Sequence, residues 1–166
     1  FTDPSYFGQI LIMNSAHIGN YGVKDGDVES DSVKINGLIG RNLEDQYSRK
    51  MANGSLNEYL KANKVVSIEG VDTRALVAQI RTKGAMNCII SSEITDIEVL
   101  KKKLAETPNM DGLELASKVS TSSSYELGDA GAEVRIAVMD YGVKKNILQC
   151  MVDRGAHVKV FPAKTP

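Results

Sequence analysis

The sequence has no tryptophan, two cysteines, two histidines, four prolines and three phenylalanines in 166 residues. These shortages exclude several classes. Cys88 and Cys150 stand in no Cys-x-x-Cys pair and near no histidine, so zinc-ligand spacing is absent and reduced thiols in a cytoplasmic protein are the expectation. No sign of charge dominates: the net charge is −1 with the charges well mixed, which gives no electrostatic reason to expect nucleic acid or an anionic membrane as partner. No apolar run approaches the ~20 residues that span a bilayer. The first residue is Phe1 and no signal-peptide pattern follows, so an internal piece of a longer polypeptide is expected.

Catalytic signatures are missing as well. No Gly-x-Gly-x-x-Gly follows Met139, where only Gly142 lies in the turn, so a dinucleotide fingerprint is unsupported. There is no Gly-Lys-Ser/Thr phosphate loop. Neither a Gly-x-Ser-x-Gly nor a Gly-x-Cys-x-Gly elbow occurs, so the sharp turn that presents a nucleophile is not found within the chain.

What is present is a chain with 42% hydrophobic residues, enough for a real core. Thr2-Asp-Pro-Ser-Tyr6 reads as a turn, with Pro4 presetting φ and the side chains of Asp3 and Ser5 able to bond nearby backbone. Strands are expected at Gln9–Met13, around Val33 to Ile39, at Val65–Ile68 and at Cys88–Ile90. Gly19 to Gly26 reads as loop. Ser55-Leu-Asn-Glu58 and Thr95-Asp-Ile-Glu98 are capping boxes opening helices. Asp72 is a candidate N-cap for a helix ending at Gly84, and Asp111 for a short helix through Leu115.

Residues 119–132 lose apolar periodicity and read as a linker. A mixed α and β domain is therefore expected over 1–118 and a second domain from 133. Val134–Met139 reads as a buried strand, Asp140-Tyr141-Gly142 as a turn, Val143–Arg154 as a helix closed by Gly155, and His157–Phe161 as a strand. At 100° per residue Val143, Ile147, Leu148, Met151 and Val152 share one side of that helix. A strand, crossover helix and strand open a parallel α/β sheet but do not complete one, so this domain is expected to continue beyond Pro166.

Few side chains invite a chemical role. Cys88 lies in strand context and Cys150 beside Leu148 and Met151, and both read as packed structural thiols. His17 and His157 read as packing or turn residues, because no cysteine or serine nucleophile is placed near either. Lys144 and Lys145 sit where a helix dipole disfavours cations, and read as solvated lysines ahead of contacts to another subunit.

Seven motifs then occur in a telling order: Thr2-Asp-Pro-Ser-Tyr6, His17-Ile-Gly-Asn-Tyr-Gly22, Gly70-Val-Asp-Thr-Arg-Ala-Leu76, Arg81-Thr-Lys-Gly-Ala85, Asp140-Tyr-Gly-Val-Lys-Lys-Asn-Ile147, Val152-Asp-Arg-Gly155 and Pro162-Ala-Lys-Thr165. Over nearly the whole chain the series closely resembles the small, glutamine-hydrolysing subunit of carbamoyl-phosphate synthase. Ala16 and Tyr141 depart from the Pro and Phe frequent in that family.

The resemblance implies an α/β fold. A family-specific domain that packs on a large synthetase subunit would be followed by the first strand-helix-strand of a doubly wound class I glutamine amidotransferase domain. It implies a cysteine thiolate that attacks the glutamine amide, a histidine that relays protons and a carboxylate that orients the histidine. Ammonia would pass inside the protein to the large subunit, which would hold ATP with divalent metal and activate bicarbonate. Cys88 and Cys150 do not match the nucleophile motif, so no catalytic residue and no cofactor site is expected within the chain. Ser5 matches a family contact to L-glutamine. The implied partners are the large subunit and L-glutamine. An alternative of another class is a non-catalytic interaction module that docks on a synthetase-like partner. A Gly-x-Cys-x-Gly elbow after Pro166 would favour the first reading and a natural stop the second.

Overall fold

The computed structural model describes all residues, Phe1–Pro166. The chain divides into two compact units, neither of them contiguous in sequence. One comprises Gly8–Asp27 and Ile35–Leu113; the other comprises Phe1–Phe7, Val28–Lys34 and Glu114–Pro166.

The first unit is built on three short parallel strands in the order β1-β2-β3: β1 (Ile10–Ile12), β2 (Gly37–Ile39) and β3 (Val66–Ile68). The strand expected from Val33 to Ile39 is shorter, because the Lys34 N–H bonds the Phe1 carbonyl instead of a sheet neighbour. Parallel strands need a crossover. Between β2 and β3 it is α1 (Leu56–Ala62), which buries Leu56 and Leu60. The capping box at its start forms as expected: Ser55 Oγ accepts from Glu58 N at 3.2 Å, and Ser55 N donates to Glu58 Oε2 at 3.4 Å. Asp72 caps α2 (Thr73–Lys83) through Ala75 N at 3.0 Å, and Gly84 ends it with φ +87°.

Two expectations shift here. Helix α3 (Ile97–Ala105) is capped by Asp96, not Thr95. The Asp96 carboxylate reaches the N–H groups of Glu98 and Val99, and a charged acceptor one residue later serves both donors. The strand at Cys88–Ile90 does not form, and Cys88 is exposed rather than packed. Asn87 uses its side-chain amide on the carbonyls of Thr107 and Pro108, and no ladder claims the segment's backbone.

The longest segment of the second unit, from Glu114, opens with α4 (Ala116–Val119). Asp111 does not cap it; Leu115 occupies the N-cap position, and Glu114 bonds the Ser117 N–H and hydroxyl. A three-stranded sheet follows in the order β4-β6-β5: β4 (Tyr125–Leu127), β5 (Val134–Asp140) and β6 (Ala156–Pro162). β5 and β6 are parallel from Val134↔Ala156 to Asp140↔Pro162. β4 lies inside the stretch read as linker and runs antiparallel to β6, placing Leu127 opposite Val158. Three residues are too few for periodicity to announce a strand.

The crossover is α5 (Lys145–Val152), and Gly155 turns the chain with φ +85°. Leu148, Ala156, Val158 and Val160 form the core, with Leu127, Ile136, Val138, Val143, Met151 and Val152 packed on it. Ile147 departs from the expected apolar side and stays 47% exposed. The observed class is α/β with mixed helices and strands. No helix is long and apolar enough to cross a membrane.

Candidate functional site

In open α/β sheets, ligands bind outside the carboxyl ends of the strands. In the second unit that end of β5 is the Asp140-Tyr141-Gly142 turn. Asp140 is 5% exposed, and its carboxylate organises the turn. Oδ1 accepts from Gly142 N and Val143 N, each at 2.9 Å, and Oδ2 accepts from Thr121 N at 2.6 Å. Gly142 has φ +99°, and a Cβ there would stand 2.9 Å from Val119 Cγ2 and 3.0 Å from Pro4 Cβ. The glycine thus lets the turn that carries Ser5 come against the turn that ends β5.

Pro4–Tyr6 is one turn of 3-10 helix, with Asp3 as its cap. Asp3 Oδ1 accepts the Ser5 N–H at 2.9 Å, and Oδ2 pairs with Lys144 Nζ at 2.7 Å. Lys144 is therefore tied down at the start of α5, which replaces the expectation of a solvated lysine. Partial burial opposes ionisation of Asp3, but the hydrogen bond from Lys144 and those from the Ser5 backbone and side chain outweigh it and hold the carboxyl below the usual range. The hydrogen bond to Asp3 and its charge raise the Lys144 ammonium above the usual lysine value.

The signs of these shifts define a window. The lowered Asp3 contributes stability above the ordinary carboxylate range, and this is lost as pH falls through its folded value. The raised Lys144 contributes below the ordinary lysine value, and this is lost as pH rises through its folded value. We therefore expect Asp3→Asn to lower the melting temperature most between those limits, with the difference from the parent chain shrinking in acid and at high alkaline pH. A difference that stays constant from acid to alkali would refute the pairing.

Ser5 is exposed, on a turn fixed from both sides. Sequence reasoning offered its hydroxyl and its N–H to a ligand. The N–H is directed to Asp3, so a ligand would have to meet the hydroxyl. A hydroxyl that donates to a carboxylate keeps two acceptor lone pairs, which suits an ammonium group.

The remaining candidates stand elsewhere. His157 pairs with Arg135 in the ladder, five residues before Asp140 and so roughly 16 Å away along the strand, and bonds Glu126 Oε2 at 3.4 Å. Cys150 is half-buried in α5. His17 (Nδ1 to Glu44 Oε1, 3.2 Å) and Cys88 belong to the first unit. That unit has a shallow cavity of about 190 Å³ lined by Glu44, Asp45, Asn57, Ser67 and Glu69, with none of the motif residues around Ser5.

Sequence reasoning missed the link from Asp3 to Lys144. It also missed the role of Glu29, whose carbonyl accepts from Lys145 N at 2.9 Å and whose Oε2 accepts from Asn146 N at 3.0 Å. Both links join residues more than a hundred positions apart, where no local pattern signals a partner.

The fold and this turn-on-turn arrangement define an α/β protein in which a fixed polar turn lies at the carboxyl end of β5, one of a parallel pair in a mixed sheet. Comparison with known proteins narrows the class. The family model described as "Carbamoyl-phosphate synthase small chain, CPSase domain" matches residues 1–90. The carbamoyl phosphate synthase small chain of Aquifex aeolicus is 43% identical over 173 residues, which take in 97% of this chain and 47% of that protein. Those of Pectobacterium atrosepticum and Thermosynechococcus vestitus are 41% and 42% identical, each over 99% of this chain and 47% of their own length. The chain belongs to the carbamoyl-phosphate synthase small chain family. It spans about half the length of the curated relatives it matches.

Proposed function

We infer that this chain is part of the glutamine amidotransferase subunit of a carbamoyl-phosphate synthase. Its partner is the large synthetase subunit, which receives ammonia released from L-glutamine and makes carbamoyl phosphate from bicarbonate and ATP. In this reading Ser5 holds glutamine at the carboxyl end of β5, and its hydroxyl oxygen accepts from the α-ammonium group. The observation that carries the reading is the Ser5 turn fixed against the Asp140–Val143 turn by Pro4 on Gly142 and by Asp3 on Lys144. A free amino acid is zwitterionic, and a turn supplying a hydroxyl beside a lysine-carboxylate pair offers polar partners to both of its charges.

The test is Ser5→Ala in the intact small chain assembled with its large subunit. The KM for glutamine should rise about tenfold, as expected for losing one hydrogen bond to a charged group. Ammonia-dependent synthesis should be unaffected. An unchanged KM removes Ser5 from the site.

The 166 residues contain no Gly-x-Cys-x-Gly elbow. A purified chain of these residues alone is accordingly expected to release no ammonia from glutamine above background. Measurable glutaminase activity, abolished by Cys88→Ser or Cys150→Ser, would overturn that expectation.

A further inference from the structure

Residues Val28–Lys34 join the second unit although they lie far from the rest of it in sequence. Glu29 is the residue through which they do so on two sides. Its N–H donates to Thr2 Oγ1 at 2.9 Å, three residues before Ser5. Its carbonyl and carboxylate accept the first N–H groups of α5, from Lys145 and Asn146. The neighbouring bonds reinforce the first side: Ser30 Oγ donates to the Thr2 carbonyl at 2.6 Å, and Lys34 N to the Phe1 carbonyl at 3.0 Å.

A helix start leaves N–H groups without intrahelical partners, and a carboxylate there is favoured by the helix dipole as well as by hydrogen bonding. Lys144, the backbone N-cap of α5, provides no side-chain cap. Glu29 does this work from another part of the chain.

We propose that Glu29 is a positioning residue that sets the Ser5 turn relative to the turn at the end of β5, by holding Thr2 and the start of α5 at once. This rests on the reading of Ser5 as a glutamine contact. Asp3 and Lys144 link the same two segments through flexible side chains. Glu29 links them partly through its own main chain, which fixes the separation more tightly. Binding groups must be held to a fraction of an ångström to be effective, so loosening the strap should weaken glutamine binding without touching chemistry that begins from ammonia.

The experiment measures glutamine-dependent and ammonia-dependent carbamoyl phosphate synthesis in the intact small chain with its large subunit. Glu29→Ala should raise the KM for glutamine about tenfold, with kcat within about threefold of the parent and the ammonia-dependent rate unchanged. Glu29→Gln keeps an acceptor for Asn146 N and should restore the KM to within about threefold. Thr2→Val removes the other side of the strap and should raise the KM as Glu29→Ala does, which decides the matter if Glu29→Ala does not fold. An unchanged KM in Glu29→Ala or Thr2→Val, with Ser5→Ala raising it, overturns the positioning role while leaving the Ser5 contact standing. An unchanged KM in all three overturns both. A fall in kcat and in the ammonia-dependent rate together would mark Glu29 as merely structural.

Discussion

Replacing Gly19 with alanine should strongly destabilise the first unit. Gly19 has φ +109°, outside the range that side chains favour, which costs about 1–3 kcal/mol for any other residue. A Cβ there would also overlap the backbone carbonyl oxygen of Glu44. Backbone cannot rotate away as a side chain can, and overpacking of this kind costs about another 1–3 kcal/mol. The contact is held on both sides: Ile18 N donates to Asn42 O at 3.0 Å, and Glu44 N to Ile18 O at 2.7 Å. A loss of about 4 kcal/mol is expected against a typical total of about 5–15 kcal/mol. With no tryptophan to report, urea titration followed by circular dichroism is the measurement. Gly70 is the control: φ +75° but nothing within 4 Å of an added Cβ, so Gly70→Ala should cost only about 1 kcal/mol. Equal losses at the two positions would show that the close approach to Glu44 is not what makes Gly19 necessary.

Asp140→Ala is the second large effect. It strips the acceptor from three N–H groups, those of Thr121, Gly142 and Val143, around a carboxylate that is 5% exposed. Each buried donor left unpaired costs about 1–3 kcal/mol, and water reaching part of the turn recovers some of it, so the expected loss is about 3 kcal/mol. Asp140→Asn retains one acceptor oxygen and should lose about half as much. The local signature is faster amide exchange at Thr121 and Val143 in Asp140→Ala. Exchange there matching the parent chain would contradict the role given to the carboxylate.

The sequence was legible where structure is local. The Ser55 capping box, the Asp72 cap with its Gly84 stop, and the strand, helix and strand from Val134 to Phe161 all rest on spacings of two to four residues, and all are present within a residue or two, although the first strand, read as buried, has only Asp140 buried. Failures came where a choice depended on distant partners. Cys88–Ile90 has strand composition but no ladder to join, and Tyr125–Leu127 has little strand pattern yet pairs because β6 presents an edge beside it. The site divides the same way. The Asp3–Ser5 turn could be read from its residue types. The Lys144 ammonium and the Glu29 carboxylate could not, because their partners are set by tertiary packing. The motif His17-Ile-Gly-Asn-Tyr-Gly22 carried a resemblance before it had a reason; the reason is the close passage of Gly19 by Glu44 and of Gly22 by Gly54.

The strap at Glu29 also has a consequence in time. A nascent chain exposes Thr2 and Glu29 well before Asn146, which Glu29 caps and which is 117 residues further along. At about 5–20 residues per second the ribosome needs roughly 6–25 s to make that stretch. Through that interval the Ser5 turn has no α5 to stand on, and by its end every strand and helix of the first unit from β1 to α3 has been synthesised. A later segment therefore recruits an earlier one, and closing so long a loop makes this a high-contact-order step in folding.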